Sequence, residues 1–224
     1  MQLHHNIDGS QPLSAAVVAA LDAFIDRIED APAETVPVLD VTGVPEPGRT
    51  VLPGIALVNK WERVLRRLER LSRPTVAVVH GDCGGVAVEA LLATDLRVAA
   101  TGTRLHLPAG PQGVWPGMGL YRLANQVGFA RVRRSILFGS TICVTEAAAR
   151  NIIDEVADDV AAATATAVAM LETAVGQDVA VCRQLMLDAT TTTFEEALGR
   201  HLAACDRLLR REEAEEVPDA AVIR

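Results

Sequence analysis

The sequence predicts an α/β protein, on three observations. Val36 to Val41 and Thr75 to Val79 are short apolar runs rich in β-branched residues, the composition of buried strands. Ser14 to Ile28 and Ile55 to Leu71 are longer and repeat apolar residues at helical spacing. The two kinds of segment alternate along the chain, the order expected of an α/β fold.

The best-defined unit runs from Arg73 to Ala99, RPTVAVVHGDCGGVAVEALLATDLRVA. Pro74 and Gly81 bound the strand Thr75–Val79, and Gly81, Gly84 and Gly85 predict a tight bend. Val86 to Thr94 reads as a buried helix and Leu96 to Ala99 as a returning strand. A helix that begins directly after glycines presents unpaired backbone N–H groups and a positive dipole end. Such a corner can hold a developing oxyanion, and one donor there is worth roughly 3 kcal/mol in a transition state. Glu89, in AVEALL, is a lone carboxylate on an apolar helix. It admits two readings: a buried group whose raised pKa suits proton transfer, or a residue that complements the helix dipole.

Arg73-Pro74, Gly81, Gly84-Gly85, Glu89 and Asp95-Leu96-Arg97 stand in one ungapped register. VWPGMGLYRLANQVG (Val114–Gly128) adds a Pro-Gly turn and a segment ending in Val-Gly, and LFGSTICVTEAAARNIIDEV (Leu137–Val156) adds an Ala-rich stretch closed by Asp-Glu-Val. Together these resemble the crotonase (enoyl-CoA hydratase/isomerase) superfamily. The resemblance implies a crotonase-like core of stacked ββα turns over residues 1–158. It implies a helical trimerisation segment over 159–212, giving a homotrimer or hexamer; the clustered acids and Pro218 that follow read as a disordered tail at 213–224. It also implies action on an acyl-CoA thioester, with CoA as part of the substrate, no separate cofactor and no metal. Within the site it implies that the Val86 N–H forms half of an oxyanion hole, that Gly85 shapes the approach, and that Glu89 shuttles a proton.

The departures from that pattern are informative. Val86 and Ala87 stand where further glycines are common, but a backbone donor survives a change of side chain. In RLHLPAGPQGV, Ala109 stands where the family's second glutamate falls. Single-carboxylate chemistry (dehydration, isomerisation or enolate protonation) therefore fits better than two-glutamate water addition. The other oxyanion donor belongs after the strand Val36–Val41. TVLPGIALVNKW lacks the family's motif there, which leaves Gly54 and Ile55 as candidates. Crotonases also carry an extra strand before the first helix, so an abbreviated N-terminus is expected here.

Asn59–Leu71 and Leu185–Arg211 resemble one branch of the family, the small crotonase-like proteins of 3,5-dihydroxyphenylacetyl-CoA formation, on the route to dihydroxyphenylglycine in glycopeptide antibiotics. That branch implies a role in dehydration and aromatisation of a polyketide-derived CoA ester. Its implied partners are a type III polyketide synthase and related crotonase-like proteins. Two alternatives stand beside it. One is a non-catalytic crotonase-fold partner that enhances the synthase, with Glu89 structural. The other takes Gly81-Asp82-Cys83-Gly84-Gly85 as a G-x-C-x-G nucleophile elbow of a cysteine α/β-hydrolase. That reading needs a downstream histidine, for which His106 and His201 are the candidates, and more strands than the rest of the chain offers.

Net charge is −8, which argues against a general nucleic-acid binder while leaving room for an anionic small ligand. The sequence shows no signal peptide and no long apolar span, so no membrane partner is expected. The four cysteines are widely spaced, and a reduced cytoplasm is the expected home. Gln2 to Ile7 reads as an opening strand with exposed histidines. His4 and His5 are adjacent and point to opposite faces, which disfavours a shared metal. Ser14 is the expected N-cap of a helix with apolar residues Val17, Val18, Leu21, Phe24, Ile25 and Ile28.

On Ile55–Leu71 the apolar stripe is Leu57, Val58, Trp61, Val64, Leu65, Leu68 and Leu71. Lys60, Arg63, Arg66, Arg67 and Arg70 populate the other side, read as a solvated face with Glu62 and Glu69 as local partners rather than as a phosphate site. RLHL, at 104–107, reads as a strand. His106 lies near the missing glutamate, either as its replacement or as an ordinary hydrogen-bonded histidine. Cys83, read as semi-buried, His106 and Trp115 are candidates for an acyl pocket; Trp115 fits the core equally, and the Tyr121 hydroxyl reads as structural. Val160–Thr173, Asp178–Ala189 and Phe194–Arg211 read as helices, the last with Leu198, Leu202, Cys205, Leu208 and Leu209 in a stripe.

Overall fold

The computed structural model describes residues 1–46, 53–107, 109–110, 113–114, 116–173 and 179–215, with backbone alone at 109–110, 113–114 and 212–215. The chain divides into two compact units, Met1–Gln177 and Asp178–Arg224.

The first unit opens with β1 (Gln2–Asp8), α1 (Ala15–Asp30), β2 (Val36–Gly43), α2 (Ile55–Glu69), β3 (Val76–Cys83), α3 (Gly85–Leu91) and β4 (Leu96–Ala100). The strands line up in parallel in the order β1-β2-β3-β4, extended by β9 (Glu155–Ala157) beside β4. Each strand returns through a helix, as parallel pairing requires. β5 (Arg104–Leu105) pairs in parallel with the far end of β3 and antiparallel with β8 (Ile142–Cys143). The ribbon of β6 (Ala109–Gly110) and β7 (Gly113–Val114) leads to α4 (Met118–Val127) and α5 (Phe129–Phe138). Then come α6 (Val144–Ala149) and α7 (Val160–Thr173).

Strand alternation divides the core into two layers. Leu39, Val41, Ala77 and Val79 join Leu21 and Phe24 of α1, Trp61 and Leu65 of α2, and the buried residues of α3. Val36, Val38, Val76, Val78 and Val98 point the other way and pack on Val160, Ala163, Ala167, Val168 and Leu171 of α7. This second layer moves the expected core boundary. α7 lies beyond 158, in the expected oligomerisation segment, yet its small apolar face covers the sheet and belongs to the first unit.

Ser14 caps α1 as expected, its hydroxyl accepting from the Val17 N–H at 3.3 Å. The face opposite the α2 stripe is not simply solvated. Arg67 reaches α1 and donates to Asp22, Asp26 and Glu29 at 2.7, 2.6 and 2.5 Å. The opening strand also differs from expectation. His4 is exposed and paired with Asp40, but His5 is half-buried, its ring stacked on Phe24 at 4.9 Å. RLHL contributes only Arg104 and Leu105 to a strand.

The second unit holds α8 (Val179–Asp188) and α9 (Phe194–Glu215). Thr193 and Glu196 form a capping box: Thr193 Oγ1 accepts from the Glu196 N–H, and Glu196 Oε2 from the Thr193 N–H. Asp188 ties the two helices together through Arg200. Phe194, Leu198, Leu202, Leu208 and Leu209 are exposed on α9. Helix continues through 213–215, where a disordered tail was expected; the rest of that tail, 216–224, lies outside the described residues. Among the described residues, no helix is long and apolar enough to cross a membrane.

Candidate active site

The glycine corner sits where β3 ends and α3 begins. β3 does not stop at Gly81 as expected. Gly81 takes a φ of +63°, but the strand carries on through Asp82 and Cys83, held by pairing with Arg104 and Leu105. The turn falls at Gly84-Gly85. Gly84 is the N-cap of α3, and Gly85 enters the helix at φ +52°, a conformation that favours glycine. The first amides of α3 that bond within the turn are those of Ala87 and Val88, both to the Gly84 carbonyl. The N–H groups of Gly85 and Val86 precede them, and the helix supplies them no acceptor. Of the two, the Val86 N–H is the one the family resemblance makes half of an oxyanion hole, with Gly85 shaping the approach.

The corner is held from behind by two further loops. Gly84 N–H donates to the Gly43 carbonyl at 2.9 Å, and Gly9 N–H to the Thr42 carbonyl at 2.7 Å. A Cβ on Gly85 would stand 2.8 Å from the Gly9 carbonyl oxygen. Gly9 carries no local signal of this contact. Its role here depends on three strand ends converging, which no local pattern encodes.

Glu89 lies one turn beyond Val86 on the same face of α3, and helical side chains lean toward the N-terminus. It is 7% exposed, and Trp61 Nε1–H donates to its Oε2 at 2.8 Å. Burial pushes its pKa up to about 7, and the Glu62 charge adds to the rise. The Trp61 hydrogen bond and the Arg122 charge oppose it.

Glu69 keeps the local partner expected on α2, Arg66, but both Glu62 and Glu69 also serve the buried Arg122 of α4: Nε donates to Glu69 Oε1 at 2.6 Å and Nη1 to Glu62 Oε2 at 2.9 Å. Arg66 adds a contact to the other Glu69 oxygen at 3.0 Å. Gly119, one turn before Arg122, lies against Glu89; a Cβ there would be in ordinary contact with Glu89 Cγ at 3.6 Å. Trp61, Arg122 and Gly119 were not expected in the site. A signal for Trp61 was present: a buried indole N–H needs an acceptor, and the neighbouring apolar helix carries one carboxylate.

Cys83 is completely buried in the core rather than semi-buried, and burial pushes its thiol up to about 12. A thiol held protonated is no nucleophile, which removes the basis for the elbow reading. His106 follows β5, and its N–H donates to the Cys83 carbonyl at 2.8 Å. Its ring lies between Thr141, 3.5 Å from Nδ1, and Asp82, 3.4 Å from Nε2. The Asp82 contact is an ion-pair distance without hydrogen-bond geometry. Asp82 spends its hydrogen bonds on Arg104, at 2.7 and 2.8 Å. Tyr121 is exposed. Gly54 is the N-cap of α2 and Ile55 its first residue. Trp115 lies outside the described residues.

Parallel β-α units, a glycine corner at the start of α3 and a buried glutamate one helical turn on make up the frame of the site. Residues 56–217 match the family model described as enoyl-CoA hydratase/isomerase. An Amycolatopsis orientalis protein named enoyl-CoA-hydratase is 49% identical over 209 residues, covering 92% of this chain and 95% of its own. A Dictyostelium discoideum mitochondrial Delta(3,5)-Delta(2,4)-dienoyl-CoA isomerase is 26% identical over 104 residues, 46% of this chain and 36% of its own. Among solved structures, an enoyl-CoA hydratase from Shewanella pealeana superposes with a TM-score of 0.81 at 16% identity, covering 96% of this chain and 87% of that one. An enoyl-CoA hydratase/isomerase family protein from Silicibacter pomeroyi gives 0.72 at 22% identity, covering 93% and 94%. The chain belongs to the enoyl-CoA hydratase/isomerase (crotonase) family and has its fold. It is an acyl-CoA enzyme of the hydratase/isomerase type.

Proposed function

We propose that the protein dehydrates a polyketide-derived CoA ester on the way to 3,5-dihydroxyphenylacetyl-CoA, alongside a type III polyketide synthase. The observation that supports this reading is a helix start whose Gly85 and Val86 amides receive no acceptor from α3 itself, followed one turn on by a buried glutamate whose pKa burial pushes up to about 7. Ala109 in place of the second glutamate restricts the chemistry to what one carboxyl group can perform.

In this mechanism the thioester oxygen accepts from the Val86 N–H, with Gly85 keeping the approach open. Glu89, as carboxylate, takes the proton from the substrate Cα, and the C–H electron pair moves onto the thioester oxygen as an enolate. Each amide donor stabilises that charge by roughly 3 kcal/mol. The enolate then collapses to a carbon–carbon double bond as the β-hydroxyl leaves, and Glu89 returns its proton to the departing oxygen, releasing water. A pKa near 7 lets one group take and give that proton at neutral pH. The cycle needs no cofactor beyond the CoA of the substrate. The exposed α9 stripe supports assembly as a homotrimer or hexamer, and we place the enzyme in the cytoplasm.

The test supplies polyketidyl-CoA in situ from the synthase, with crotonyl-CoA as a control, and follows CoA products with wild type and Glu89→Gln. Faster dehydrated aromatic product with wild type alone is the expected result. Equal enhancement by both proteins assigns a non-catalytic scaffold role, and rapid hydration of crotonyl-CoA assigns a general hydratase.

A further inference from the structure

We infer that Trp61 is a positioning residue for proton transfer: its indole N–H fixes Glu89 by Oε2 and leaves Oε1 as the atom that exchanges the proton. The inference rests on the catalytic reading of Glu89. Trp61 is 1% exposed, so its ring is immobilised by the core of α1, α2 and the sheet. Its Nε1–H donates to Oε2 at 2.8 Å, and among the described residues no other hydrogen-bond donor reaches Glu89. A carboxylate held at one oxygen by a rigid donor has its second oxygen defined in position without being occupied.

The surrounding charges leave this hydrogen bond as the direct restraint. Glu62 from α2 and Arg122 from α4 act on Glu89 through space, and Arg122 directs its hydrogen bonds to Glu62 and Glu69. α3 carries no other ionisable side chain. On the strands that pack against it, Asp8 bonds Ser10 and Gln11, His4 pairs with Asp40, and Asp82 pairs with Arg104. His5 stacks on Phe24, and His80 is exposed. Loss of the indole N–H therefore frees the carboxylate to rotate and removes a donor that favours its charged form.

The proton balance is simple. When Glu89 Oε1 takes a proton from carbon, the carboxyl becomes neutral and the Trp61 bond weakens. When it returns the proton, the carboxylate re-forms against the same N–H.

The experiment compares Trp61→Phe with wild type in the coupled synthase assay. We expect kcat to fall on the order of tenfold to a hundredfold, KM to stay within about threefold, and the acid limb of the pH profile to move to higher pH. A second measurement, on the unmutated enzyme, does not depend on how Trp61→Phe folds. With 15N-labelled indoles, the Trp61 Nε1–H resonance should move with pH about a midpoint near 7 and should not move in Glu89→Gln; Trp115→Phe assigns the two signals. Unchanged kcat and pH profile in a folded Trp61→Phe, or an indole resonance that ignores pH, overturns the positioning role alone. Full activity in Glu89→Gln overturns it together with the catalytic reading on which it rests.

Discussion

The carbonyl oxygen of Gly84 lies 2.1 Å from where a Cβ on Gly9 would stand, with the Gly43 carbonyl at 2.5 Å and Ala87 Cβ at 2.9 Å. The loop after the first strand is thus the back wall of the corner that presents the Gly85 and Val86 amides. Backbone atoms cannot yield as a flexible side chain would. Gly9→Ala should therefore push α3 outward, costing about 1–3 kcal/mol, and cut activity more than stability. Urea unfolding and kcat/KM on the same preparation check this; a stable variant with full activity would show that the corner adjusts freely.

Glu89 makes the native state sensitive to pH. Its carboxyl ionises at about 4.5 when unfolded and at about 7 when folded. Between those values the native protein binds more protons than the unfolded chain, so stability falls as pH rises. The loss is complete above pH 7 and amounts to about 3 kcal/mol. Glu89→Gln keeps an oxygen for Trp61 and removes the charge. It should exceed wild type in stability by up to about 3 kcal/mol at pH 8, the difference closing toward pH 4.5. Denaturant midpoints at the two pH values decide it.

Arg122 should be among the residues least tolerant of change. Its removal leaves Glu69, 9% exposed at the side chain, with Arg66 as its remaining ion-pair contact among the described residues and the Arg97 charge acting through space. Arg122→Met should cost about 3–5 kcal/mol, and the double variant with Glu69→Met should recover part of that loss. Additive single effects in that cycle would argue against coupling across the pair.

Cys83 should prove chemically silent. Its thiol is fully buried and held protonated well above neutral pH. In the folded protein iodoacetamide should label the exposed Cys143 and Cys182 and spare Cys83. Cys83→Ala should keep activity within about twofold, since no step passes through sulfur. Loss of turnover in a folded Cys83→Ala would reopen the elbow reading.

The sequence by itself determined the elements, the glycine corner and the lone carboxylate, because these are written in local terms. Strand alternation, helical spacing and a Gly-Gly step before an apolar helix each act over a few residues. The chain therefore announced where α3 would begin and where Glu89 would stand on it. It did not announce what they would meet. Trp61 and Glu62 carried only the signals of a core stripe and a solvated face, Arg122 drew no reading at all, and α7 passed for an appendage. The Trp61–Glu89 contact spans 28 residues and the Arg122–Glu69 contact 53, so both depend on how α2, α3 and α4 cross. That crossing is decided by the packing of whole faces against the sheet. Periodicity states that a side chain is buried; only the tertiary structure decides which donor a buried carboxylate finds, and so what its proton can do.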